Sequence, residues 1–87
     1  MAIILIIDKN PTERRVYTTL LGNYGHRFLE AEDGVQALEV ARAELPDLII
    51  TDILMPTMDG FTLARRLRAE PLLMGIPVIF QTSNYDE

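Results

Sequence analysis

Cysteine is missing from all 87 residues, which excludes disulfide staples, thiolate zinc centres and thiol nucleophiles. The absence fits a reducing compartment. Positive charge is scarce as well: the formal net charge is −5, and no basic stripe interleaved with aromatics occurs. Direct binding to nucleic acid or to an anionic membrane is therefore not expected. Long apolar runs are also lacking. The stretch AIILII near the N-terminus is too short to cross a bilayer, and it has neither the basic flank nor the small-residue cleavage site of a signal peptide. The reading is a cytoplasmic chain with no membrane partner. Histidine occurs once, at His26 just past a helix-ending glycine, with no second imidazole to share a metal. It reads as a surface residue.

With 48% hydrophobic and 24% charged residues, the chain can fold as one small domain, residues 1–87. Two patterns alternate along it. Ala2 to Ile7 is continuously apolar and rich in β-branched side chains, as in a parallel strand covered on both faces. Asn10, Pro11 and Glu13 then supply a cap, a first-turn proline and an acid, which start a helix. Its inner stripe is expected at Val16, Leu20, Leu21 and Tyr24, with Gly22 and Gly25 ending it. Arg27 to Ala31 reads as a short strand near an edge. Asp33-Gly34 makes a turn, and a second helix follows, whose stripe is Val35, Leu38, Ala41 and Leu45 and which Pro46 stops. Leu48 to Ile50 is another buried strand, ended by Thr51 and Asp52. A loop with Met55, Pro56, Met58, Asp59 and Gly60 leads to a third helix facing inward through Phe61, Ala64 and Leu67, with Leu63 beside them. Ile76 to Phe80 is the last strand, followed by Gln81, Thr82 and Ser83.

Strands and helices in strict alternation require a parallel sheet with crossover helices, an α/β fold. Ligands of such sheets gather outside the carboxyl ends of the strands. Asp8, Asp52 and Thr82 each follow such an end. One aspartate there is what any turn favours. Two carboxylates on neighbouring strands would raise each other's pKa unless a cation intervened, and magnesium, which takes one or two carboxylates and bridges to phosphate oxygens, is the suitable ion. A carboxylate in such a place can also act as a nucleophile toward phosphoryl groups.

In order, IIDKNPTER, AEDGVQAL, PDLIITDILMPTMDG and IPVIFQTS resemble the receiver domain of two-component response regulators over the whole chain. The most specific block is DLIITDILMPTMDG, an apolar strand followed by Asp, three residues, Pro and Met-Asp-Gly. The resemblance implies a flavodoxin-like open sheet of order 2-1-3-4. It places Asp52 at the phosphoacceptor position, served by a histidine kinase or a phosphotransfer protein. Asp8 falls on the acidic pocket, Leu54 on the residue whose backbone carbonyl binds Mg2+, and Thr82 on the switch hydroxyl.

Two departures follow from the same comparison. Receivers carry two adjacent acids after the first strand, and here the second position is Lys9, a cation where a metal ligand is expected. Either its flexible stem carries the ammonium into solvent, or the ammonium pairs with Asp52 or Asp8 in place of the metal. Receivers also continue into a fourth helix, a lysine-bearing fifth strand and a fifth helix. These are absent from the 87 residues, so the chain reads as the N-terminal portion of a receiver, with self-association expected through an uncovered sheet face or edge. The leading reading is a phosphoacceptor module; the alternative is a pseudo-receiver that binds partners with little or no magnesium-dependent phosphorylation. A phosphotransferase or phosphatase ranks last, because Leu54 stands where it would want an acid or base.

Overall fold

The computed structural model describes residues 1–82; Ser83 of the polar run after the last strand lies outside them. Seven elements alternate: β1 (Ile3–Ile7), α1 (Pro11–Gly22), β2 (Arg27–Ala31), α2 (Gly34–Glu44), β3 (Leu48–Asp52), α3 (Gly60–Arg68) and β4 (Val78–Gln81). All strand pairs are parallel, and the order is β2-β1-β3-β4, as the resemblance implies. Each helix starts where a polar side chain satisfies an otherwise unpaired N–H. Asn10 accepts from Thr12 N at 2.9 Å, Asp33 from Gln36 N at 2.8 Å and Asp59 from Thr62 N at 2.7 Å. β4 begins at Val78, two residues later than the apolar run suggests. Pro77 has no N–H to give the ladder, and the N–H of Ile76 is used in a turn to Leu73 O.

The pleat sends alternate residues of each strand to opposite faces. Leu5, Ile7 and Ile49 join Ala37, Leu38, Ala41, Leu63, Leu67 and Leu73 in the larger core, under α2 and α3. Ile4, Ile6 and Ile50 form a smaller one against Tyr17, Leu21 and Phe28 on the α1 side.

The helix stripes correct three expectations. In α1, Tyr17 and Leu21 face the sheet, whereas Val16, Leu20 and Tyr24 are exposed. A single helix on a sheet face buries only a narrow stripe, here positions 14, 17 and 21 at spacings of three and four. In α2 the buried set is Gly34, Ala37, Leu38 and Ala41; Val35 and Leu45 are exposed. Small residues bring this helix close to the sheet, and Leu45 already sits past its end in a left-handed cap at φ 50°. In α3, Leu63 and Leu67 are buried while Phe61 stays half-exposed, its ring 4.9 Å from that of Phe80.

On the α1 side the sheet is only partly covered. An apolar groove of about 420 Å³ runs between α1 and β4, lined by Tyr17, Leu20, Leu21, Leu48, Ile50 and Ile79. β4 is an edge of the described sheet.

Two glycines set close approaches. A Cβ at Gly60 would stand 2.5 Å from the carbonyl oxygen of Asp52, and one at Gly34 would stand 2.6 Å from the sulfur of buried Met58. Backbone cannot move aside as a thioether can. Gly60→Ala should therefore destabilise the chain by about 1–3 kcal/mol, the range for overpacking, and Gly34→Ala by less; urea unfolding of both variants measures the difference.

Candidate functional site

β1 and β3 are neighbours in register, with Ile7 opposite Thr51. One residue further on, Asp8 and Asp52 leave the sheet side by side on the α1 face, on strands about 4.8 Å apart. Each is only 2% exposed. Asp8 is well held: its N–H donates to Ala31 O at 3.1 Å, and its Oδ1 accepts from Asn10 N at 2.9 Å. Asp52 is held less. Its Oδ1 accepts a long 3.3 Å bond from Leu54 N, and its buried Oδ2 has no partner among the described residues. A carboxylate oxygen buried without a donor is costly, so a cation would be favoured beside it.

The walls are equally specific. Gly60 N donates to Ile53 O at 2.8 Å, so the turn into α3 lies directly on the end of β3. Ile53 N donates to Gln81 O at 3.2 Å, tying that end to β4, and Thr82 follows Gln81 there, half-buried. Leu54 is exposed at the rim. Thr57, in the same loop, has φ 72°, a left-handed conformation that β-branched residues rarely adopt. Asp59 caps α3, as its place before Gly60 suggests, and its role in N–H capping holds its carboxyl below the usual range.

Lys9 is exposed at the pocket mouth, and none of the three ion pairs among the described residues includes it. The pairing with Asp52 or Asp8 considered from the sequence is not formed; the ammonium lies in solvent. The inward cation is Arg14, which the apolar stripe expected for α1 does not include. Its side chain is 13% exposed and pairs with Glu30 at 2.8 Å. Tyr17 was missed too. Burial pushes its hydroxyl pKa up, and the charges of Asp8, Glu13 and Asp52 add to this. The signal for both was the spacing 14, 17, 21, visible once a basic and an aromatic residue are allowed on an inner stripe. His26 is half-buried rather than on the surface: its Nδ1 accepts from Ala2 N at 3.1 Å, stitching β1 to β2.

The donor set suits magnesium. Among the described residues no three His, Cys, Asp or Glu side chains gather, but two buried carboxylates, one with an unpaired oxygen, are what this ion takes from a protein when water and phosphate supply the rest.

Burial raises the pKa of Asp8, opposed by the Asn10 N–H and Arg14 and reinforced by Asp52 and Glu13. An acid whose folded pKa is raised binds its proton more tightly when folded, so stability falls as pH climbs from the ordinary carboxylate range to the raised value and stays reduced above it. Asp8→Asn should therefore raise Tm at pH 7, with the gain disappearing as pH falls toward about 3.9, followed by circular dichroism melting.

The model of the response regulator receiver domain matches residues 4–87. Protein PilH of Pseudomonas aeruginosa is 41% identical over 87 residues, all of this chain and 72% of that protein. The gliding motility regulatory protein of Myxococcus xanthus is 41% identical over 80 residues, which are 92% of this chain and 10% of that larger protein. Among solved structures, the N-terminal domain of a response regulator receiver protein from Methanoculleus marisnigri superposes with TM-score 0.91 at 33% identity, over 100% of this chain and 71% of that one. The receiver domain of a Pseudomonas aeruginosa sensor histidine kinase, solved with magnesium coordinated in its active site cleft, superposes with TM-score 0.87 at 31% identity, over 95% and 68%. The ends of β1 and β3 thus converge on an acidic pocket in a sheet of known kind, and the chain belongs to the response regulator receiver domains of two-component phosphorelay signalling.

Proposed function

We propose that the chain accepts a phosphoryl group on Asp52 from a phosphohistidine of a histidine kinase or phosphotransfer protein. The observation that supports this best is the unpartnered, buried Oδ2 of Asp52 beside a second buried carboxylate. In the transfer a carboxylate oxygen of Asp52 forms the new O–P bond as the N–P bond of the donor breaks, and the freed imidazole takes up a proton from solvent. Asp8, Asp52 and the Leu54 carbonyl would hold Mg2+, which offsets the charge of the incoming phosphoryl oxygens. Thr82, at the end of β4, would donate its hydroxyl to a phosphoryl oxygen, coupling the site to the β4 side of the domain. The product is an altered surface rather than a released molecule, which is the work of a signalling domain.

The pseudo-receiver reading rests on Lys9. Because that side chain is exposed, its repulsion of a metal is set by water: at about 8 Å a unit charge and a divalent ion repel by roughly 1 kcal/mol, against about 4 kcal/mol at an effective dielectric of 20. A penalty of that size weakens a site without abolishing it. Phosphoryl transfer therefore remains the preferred reading.

The groove between α1 and β4 continues into the open β4 edge, where Val78 to Gln81 carry no charge to discourage pairing. We propose that a second copy pairs there at high concentration.

Three measurements follow. Incubation with acetyl phosphate and magnesium should add one phosphoryl mass to the wild type and none to Asp52→Asn; an unchanged wild-type mass would favour the pseudo-receiver. Lys9→Met should tighten Mg2+ binding about fivefold in amide-shift titrations, the equivalent of the roughly 1 kcal/mol above. Light scattering should show mass rising with concentration, less so for Ile79→Lys.

A further inference from the structure

Two positive charges can reach the unpaired oxygen of Asp52: a divalent ion from solvent, and the ammonium of Lys9, the only lysine in the chain. Lys9 adjoins Asp8 and carries a long flexible stem, yet it stays outside. Something must hold it there, because a buried carboxylate oxygen without a donor attracts a cation that can approach it.

The peptide that joins Asp8 to Lys9 is fixed from three directions. The N–H of Asp8 donates to Ala31 O at 3.1 Å on β2. The Asp8 carboxylate accepts from Asn10 N at 2.9 Å, past Lys9 in the loop. The carbonyl oxygen of Asp8, which belongs to the peptide plane leading into Lys9, accepts from Arg14 Nη1 at 2.5 Å. Arg14 is itself held by its Nε, which donates to Glu30 Oε1 at 2.8 Å. A peptide is planar, so pinning its carbonyl also sets where the next residue departs. Arg14 thus spans α1, the end of β1 and the edge strand β2 with one guanidinium, whose rigid fork suits a carboxylate and a carbonyl at once.

We infer that Arg14 and Glu30 form a latch that holds the Asp8–Lys9 peptide so that Lys9 stays outside the carboxylate pocket, leaving the pocket to a divalent ion. Arg14 is a positioning residue: it touches neither metal nor phosphoryl group and acts through the backbone of Asp8. With the latch broken, the peptide can turn and the Lys9 ammonium pairs with Asp52. The part concerning the ion rests on the function proposed above; the part concerning Lys9 does not.

Because Lys9 is the only lysine, its accessibility can be read alone by mass spectrometry, as the rate of acetylation by acetic anhydride relative to the N-terminal amine. Wild type should react at the rate of a free lysine. Arg14→Met and Glu30→Gln should slow Lys9 acetylation at least fivefold, Arg14→Lys should keep most of the wild-type rate, and adding Asp52→Asn to Arg14→Met should restore it. Glu30→Gln keeps the side chain's size and serves if Arg14→Met does not fold. A wild-type rate in a latch variant with a native amide spectrum overturns the inference. Magnesium titration supplies the second arm: Arg14→Met should weaken binding about tenfold, and Lys9→Met should recover more in that background than in wild type. Equal effects in both backgrounds would mean that Arg14 has only a structural role. If wild type takes no magnesium, the proposed phosphoacceptor function fails, and the acetylation rates still decide the latch.

Discussion

Parallel pairing of β1 with β3 puts two ionisable side chains next to each other at the buried edge of a sheet, and much of the molecule is arranged around that juxtaposition. Charge so placed is stabilised only by hydrogen bonds or by a cation. Asp8 receives an N–H from its own loop, while Asp52 receives one long bond and has an oxygen left over. The imbalance separates the two roles. On the proposed reading, the better-satisfied carboxylate is the fixed one and the less satisfied is the one that would take the phosphoryl group.

The surrounding elements keep that imbalance in place. Gly60 lets α3 begin against the carbonyl of Asp52, so the backbone of that residue cannot drift. Met58, in the loop between them, is buried against Gly34 and anchors the same loop to α2, which makes the Met-Asp-Gly run a packing device as well as a helix start. The left-handed Thr57 lies between these anchors, where a chain fixed at both ends can hold an unfavourable conformation. On the other side α1 contributes Arg14, which donates to the Asp8 carbonyl, and Tyr17, which packs against the smaller core. The helix that covers the smaller core therefore also shapes the electrostatics of the site.

On the proposed reading, the effect of Lys9 depends on which side of the pocket its charge occupies. A cation inside the pocket would compete with metal for the same carboxylates. A cation outside it is screened by water, and its influence falls to a modest fraction of what the interior would give. The difference lies in the orientation of one peptide.

Much of the fold was legible residue by residue, because each signal was local. Alternation of β-branched runs with capped helices identifies the elements, Asn10 and Asp59 mark helix starts, and Arg27 to Ala31 marks β2 to the residue. Asp8, Asp52 and Thr82 were visible as polar residues at strand ends, which the parallel sheet then gathers at one edge. The inner faces of the helices were not legible in the same way. Whether Val16 or Tyr17 faces inward depends on how many neighbours cover that side of the sheet, and whether Arg14 is a solvated charge or a brace depends on β2 lying beside β1. Sequence alone determined which residues form strands and helices and which acids end them, since propensity and capping act within a few residues. Tertiary structure alone decided where Lys9 and Arg14 point, since their partners are brought near only when distant segments pair.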